Sequence, residues 1–181
     1  IEHIGFHPRK LLSDCTNLLQ LSAEEKGLLL TQEVTEDVPE ILIGDPHRLQ
    51  QVLMNLCSNA IKFTEQGNVD ITVYVDRQKG TNYLLKFVIE DTGIGIDKDK
   101  MEEVFESFRQ ESTTTTRQYG GSGLGLTISR ELVRLMGGDL EIDSQKGFGT
   151  RVVFELPFET GSAVDIEVPE IAAAEPERLK G

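Results

Sequence analysis

The sequence predicts an α/β two-layer sandwich, a mixed and mostly antiparallel sheet with about three helices on one face. Three observations predict it. Apolar residues recur at helical spacing in three separate stretches, 8–26, 46–64 and 124–135. Apolar and polar residues alternate in Val69–Asp76 and again around Leu85, Phe87 and Ile89, the period of strands with one buried face. Gly80 and Asn82 lie between those alternating runs and mark a hairpin turn, so part of the sheet is antiparallel.

From Pro8 to Lys26 the helical period is carried by Leu11, Leu12, Cys15, Leu18, Leu19 and Leu21, and Leu28 to Val34 then reads as a short apolar strand. A loop with Pro39 and Gly44 follows. Asp45 is a good N-cap, and Pro46 suits the first turn of a helix reaching to about Thr64. On that helix Leu49, Val52, Leu53, Leu56, Ala60 and Phe63 form one apolar stripe. After the hairpin come a short helix near Asp97 to Phe105 and a polar stretch, Ser112 to Thr116. Leu124, Ile128, Leu132 and Leu135 mark a further helix, which starts inside a glycine box and stops at Gly137-Gly138. Two strands, Leu140–Asp143 and Thr150–Leu156, complete the sheet. From Glu159 six acidic and two basic residues, Pro169, Pro176 and an alanine run replace the periodic pattern, as in a linker or tail.

A chain of 181 residues with 38% hydrophobic residues supports one domain with extensions. Its formal net charge of -13 argues against nucleic acid or an anionic membrane as a steady partner, and any phosphate it holds must be held by local groups. Cys15 and Cys57 have no pairing pattern and no histidine at metal spacing, so neither a disulfide framework nor a zinc site is indicated, and a reducing cytosol is the natural compartment. No apolar run approaches the ~20 residues a membrane helix needs. The chain opens on Ile1 with no signal-like segment and reads as an excerpt of a longer protein.

Chemistry concentrates in four places. Asn55, Asn59 and Lys62 share roughly a 60° arc of one helix at ~100° per residue. An Asn carbonyl can serve a hard cation that bridges phosphates, and Lys62 can touch phosphate; the alternative is a half-buried helix whose asparagines bond to neighbouring backbone. Asp91 ends an alternating strand where the chain breaks into Gly93, Gly95 and Ile96, so its carboxylate can accept from an adenine amino group while glycines let backbone approach a flat ring. A strand-ending turn is the alternative there, and plain core is the alternative for Phe63 as a wall of the base pocket. Gly120, Gly121, Gly123, Leu124, Gly125 and Leu126 open a helix whose first amides are unpaired, a phosphate cradle without the Lys-Ser/Thr end of a Walker loop. Arg117 can add charge at the γ-phosphate, and Arg109 is a weaker candidate. Gly147 to Thr150 is a further glycine cluster, which taken alone reads as an ordinary hairpin turn.

In this content and order the motifs resemble the catalytic and ATP-binding domain of sensor histidine kinases, of the GHKL superfamily with the Bergerat fold, over about Phe6 to Phe158. The resemblance implies ATP and Mg²⁺ as cofactors, with Asn59 the metal ligand, Lys62 on phosphate, Asp91 the adenine-specifying residue and the threonine stretch a lid flanked by Phe105 and Phe108. It also implies that Gly147 to Thr150 is the last glycine motif lining the base pocket, with Thr150 on adenine or a water beside Asp91. Asn55 stands where related ATPases of the superfamily place the Glu that activates water. An amide cannot take that proton, which favours phosphoryl transfer over hydrolysis.

The family's phosphoacceptor histidine sits on a separate dimerising hairpin, where it is followed at once by an acidic residue. None of His3, His7 and His47 has that setting. The expected organisation is therefore 1–7 as the end of a dimerisation segment or linker, 8–158 as the catalytic domain and 159–181 as an acidic tail. Implied partners are the dimerisation and phosphoacceptor domain and a receiver domain or response regulator, as in hybrid kinases. A competing reading is a regulatory module in which nucleotide sets the lid without productive transfer.

Overall fold

Alternation along the chain builds one seven-stranded sheet. The computed structural model describes residues 1–109 and 122–166, and the side chains among them except those of 105–109 and 122–124. Its strands are β1 (Ile4–Phe6), β2 (Leu29–Val34), β3 (Leu42–Gly44), β4 (Asn68–Lys79), β5 (Asn82–Asp91), β6 (Asp139–Gln145) and β7 (Gly149–Thr160). The order is β1-β3-β7-β5-β4-β2, with β6 also on β7. Only β2 with β4 is parallel among the described pairings. β6 pairs with β7 over residues 149–155 and β3 with residues 159–160, so both share the edge of β7 that β5 leaves open.

The helices are α1 (Pro8–Glu25), α2 (Pro46–Lys62), α3 (Lys98–Arg109) and α4 (Ser122–Leu135). Leu12, Cys15, Leu19 and Ala23 of α1 and Leu49, Val52, Leu53, Leu56, Cys57, Ala60 and Ile61 of α2 are buried, the three-and-four spacing of a core face. They meet Val69, Ile71 and Val73 of β4, Phe87 and Ile89 of β5, and Phe154 and Leu156 of β7 in one cluster. Phe87 and Phe154 stack at 4.6 Å between centroids and join adjacent strands at its centre. Each fully buried side chain of this size contributes about 1.5–3 kcal/mol. The expected two-layer architecture is what forms.

Four local expectations change. Residues 4–6, assigned to a preceding helical segment or linker, form β1 and pair with β3. The loop of Pro39 and Gly44 contains β3, which at three residues is too short to display a period. The strand after α1 is an edge strand: Leu28, just before it, is buried, whereas Leu29 is 63% exposed. Order also continues past Glu159, because β7 extends to Thr160 and a short 3-10 turn, Ala163–Asp165, follows with Asp165 against Gly5. The rest of the tail, 167–181, lies outside the described residues.

Cys15 and Cys57 are free and fully buried at the packing of α1 on α2. Burial, with the Asp14 charge adding, pushes the Cys15 thiol up to about 11, and burial pushes Cys57 higher still. Thiolate is the reactive form, so the native chain is expected to resist a thiol-specific disulfide reagent at pH 8 and to release both thiols only on unfolding in urea. Rapid labelling of the native chain would contradict this packing.

Candidate nucleotide site

The site begins with how α2 is anchored. Asp45 Oδ1 accepts from Arg48 N at 3.1 Å, and Asp45 Oδ2 accepts from Glu2 N at 3.0 Å and pairs with Arg48 Nε at 3.1 Å. Burial alone would raise the Asp45 pKa, but these donors outweigh it and hold the carboxyl below the usual aspartate range. At the other end Lys26 Nζ reaches Ile61 O at 2.8 Å and Lys62 O at 3.1 Å, which satisfies carbonyls that a helix C-terminus leaves orphaned. Sequence reasoning missed Lys26, since nothing in its spacing tells that it returns to α2.

Between these anchors α2 presents Asn55 and Asn59, both half-buried, and the exposed Lys62. Asn59 faces α4: a Cβ built on Gly125 would stand 3.6 Å from Asn59 Nδ2. Lys62 Nζ lies 5.5 Å from the Phe63 ring centroid, a cation–π contact. Phe63 is half-buried and caps the helix by donating its N–H to Asn59 O at 3.0 Å. Its carbonyl then accepts from Ile94 N at 3.1 Å. The first glycine box is thus fastened directly to the end of the asparagine helix.

Asp91 closes β5 on that floor. Asp91 Oδ1 accepts from Gly93 N at 2.9 Å and from Thr150 N at 3.3 Å, while Oδ2 takes no hydrogen bond from the described residues. Burial raises the Asp91 pKa above its ordinary value, and the two backbone donors only moderate that rise. A half-buried carboxylate oxygen with spare acceptor capacity is suited to a donor from a ligand, such as an exocyclic amine. Gly93 is required by close approach, because a Cβ there would stand 2.4 Å from Phe63 O and 2.9 Å from Asp91 Oδ1.

The last glycine motif locks onto the same place. Gly147 N donates to Ile94 O at 2.7 Å, and a Cβ on Gly95 would stand 2.0 Å from Gln145 O. Ile96 N donates to Ser144 Oγ at 2.9 Å, and Ser144 Oγ lies 2.7 Å from Thr150 Oγ1. Asp91 and Thr150 border a depression of about 300 Å³ together with Ser144, Gln145, Phe148 and Gly149. Ser144 is the second residue sequence reasoning missed. Its signal was the β6–β7 hairpin, whose register sets Ser144 opposite Thr150.

The second glycine box is described in part. Gly123 and Leu124 fall in the first turn of α4, where backbone amides have no helical partner, and Gly125 and the half-buried Leu126 follow. Gly120, Gly121, Arg117 and the threonine stretch lie outside the described residues, as do the side chains of Leu124, Phe105, Phe108 and Arg109. Asn55, Asn59, Lys62, Phe63, Asp91, Gly93, Gly95, Ile96, Gly125, Leu126 and Thr150 are all placed on α2, the start of α4 or the strand ends between them.

A family model described as histidine kinase-, DNA gyrase B-, and HSP90-like ATPase matches residues 44–160. The signal transduction histidine-protein kinase BarA of Escherichia coli is 41% identical over 179 residues, 99% of this chain and 20% of BarA. The autoinducer 2 sensor kinase/phosphatase LuxQ of Vibrio parahaemolyticus is 47% identical over 142 residues, 78% of this chain and 17% of LuxQ. The chain therefore spans about a fifth or less of the length of the curated relatives it matches. Among solved structures, full-length ShkA in complex with AMPPNP is similar with a TM-score of 0.71 and 34% identity, over 89% of this chain and 32% of that one. The nucleotide-free catalytic domain of histidine kinase ThkA gives 0.65 and 26%, over 87% of this chain and 96% of that one. No helix among the described residues is long and apolar enough to cross a membrane.

Proposed function

The chain belongs to the histidine kinase-, DNA gyrase B- and HSP90-like ATPase family, and from that premise we propose that it binds Mg²⁺·ATP and donates the γ-phosphoryl group to a histidine on a separate dimerisation and phosphoacceptor domain. The observation that carries the reading is the desolvated Asp91 carboxylate, one oxygen bonded to Gly93 and Thr150 and the other left to accept. Asp91 selects the base, Phe63 walls it, and Asn59 offers a neutral oxygen to Mg²⁺ beside the start of α4. Lys62 meets phosphate from the end of α2, and the first-turn amides of α4 cradle it. Arg117 adds charge at the γ-phosphate. The metal nucleotide supplies the transferable phosphoryl group; the protein supplies position and charge. Asn55, one turn before Asn59, has no basicity to activate water, so transfer is favoured over hydrolysis. The acceptor comes from a partner domain, and a receiver domain or response regulator takes the phosphoryl group afterwards.

Calorimetric titration tests this directly. The parent chain is expected to bind ATP saturably and more tightly with Mg²⁺ than without, and Asn59→Ala is expected to erase the Mg²⁺-dependent gain. Absence of saturable binding by the parent would sink the proposal. Binding without transfer to any supplied phosphoacceptor domain would leave a nucleotide-gated regulatory module.

A further inference from the structure

Resting on the nucleotide site proposed above, we infer that Ser144 is a positioning residue whose hydroxyl, by donating to Thr150 Oγ1, turns the Thr150 proton toward the base and so supports binding of a 6-aminopurine edge. Three groups surround Ser144 Oγ: the Ile96 N–H at 2.9 Å, the Gly149 carbonyl at 3.1 Å and Thr150 Oγ1 at 2.7 Å. A hydroxyl has one proton and two lone pairs. The Ile96 N–H can only donate, so it takes one lone pair. The single Ser144 proton then goes either to Gly149 O or to Thr150 Oγ1.

These two arrangements give opposite surfaces. If Ser144 donates to Gly149, Thr150 must donate to Ser144, and it shows the cleft lone pairs alone. If Ser144 donates to Thr150, the Thr150 proton is released to point outward. Asp91 is beside it on the same floor, with Thr150 N donating to Asp91 Oδ1 at 3.3 Å and Oδ2 available as an acceptor. A 6-aminopurine edge shows an N–H donor next to a ring-nitrogen acceptor, so it needs an acceptor next to a donor. Asp91 is the acceptor, and only the second arrangement makes Thr150 the donor. A 6-oxopurine reverses that edge and would set its oxygen against the Asp91 carboxylate. One intervening water between Thr150 and the ring nitrogen preserves the direction.

The test compares ATP with 1-deaza-ATP, in which the ring-nitrogen acceptor is replaced by C–H, on the parent chain, Ser144→Ala and Ser144→Thr. Ser144→Ala is expected to weaken ATP binding about fivefold, the worth of one hydrogen bond, and to leave 1-deaza-ATP binding unchanged. Ser144→Thr is expected to restore ATP binding. Equal weakening for both nucleotides, or no weakening for ATP, overturns the role of Ser144 while the nucleotide site stands. Failure of the parent to bind ATP overturns the site and this inference together. Should Ser144→Ala lose the fold, Ser144→Cys, a weak donor of similar size, carries the same comparison.

Discussion

Replacing Asp91 by Asn is expected to weaken ATP binding by more than about a hundredfold, about 3 kcal/mol, while leaving the fold at least as stable as the parent at neutral pH. The geometry separates the two effects. An Asn carbonyl in the place of Oδ1 keeps both the Gly93 N–H at 2.9 Å and the Thr150 N–H at 3.3 Å. The amide nitrogen takes the place of Oδ2 and turns a donor toward the donor it should receive. Binding therefore loses an ion-assisted hydrogen bond and leaves two donors opposed.

Stability follows from the sign of the shift. Burial raises the folded-state pKa of Asp91 above its unfolded value, so its contribution to stability is fully present below the unfolded pKa, ~3.9 for an ordinary aspartate, and is lost as pH rises through the folded value. At pH 7 the ionised carboxylate costs stability, and Asn removes that cost. Affinity runs the other way: ATP binding to the parent should fall as pH drops through the raised pKa, whereas the Asn variant should lack that titration. Melting curves and ATP titrations followed from about pH 4 to pH 8 on both chains check each arm. A variant that melts well below the parent at neutral pH, or that keeps parental affinity, would remove Asp91 from the role assigned to it.

The asparagine helix and Asp91 were legible in the sequence because their signals are local. Asp45 with Pro46 announces a helix start, and apolar residues at three-and-four spacing announce its buried face, so the polar arc of Asn55, Asn59 and Lys62 could be located before any contact was known. The alternation leading to Asp91 placed it at a strand end in the same way. Residues that act across the sheet left no such trace. Lys26 meets α2 from 35 residues away, and Ser144 meets Ile96 from 48. Their roles depend on pairing register and on a side chain that returns to an earlier element, and neither is encoded in a period. β1 and β3 were missed for a related reason. At three residues each they are held by pairing with each other and with β7 rather than by a pattern of their own.

Gly149→Ala should be among the most damaging small substitutions, costing about 3–5 kcal/mol of a stability that for such domains is about 5–15 kcal/mol. Two costs coincide there. The residue has φ +120, outside the range of an L side chain, and its Cβ would stand 1.9 Å from Asp91 O, a backbone atom that cannot turn aside. Relief requires β7 to move off the end of β5, which withdraws the Thr150 N–H from Asp91 Oδ1, so ATP binding should fail even at temperatures where the chain remains folded. Gly147 is the matched control: φ is +84, but a Cβ there would meet nothing within 4 Å. Gly147→Ala should therefore carry only the conformational cost, about 1–2 kcal/mol. Urea unfolding of the two variants separates close approach from backbone strain, with an unchanged m-value certifying that the midpoint shift reports stability. Equal midpoints for the two variants would mean that β7 yields without cost, and the rigid link between Asp91 and Thr150 on which the site depends would have to be abandoned.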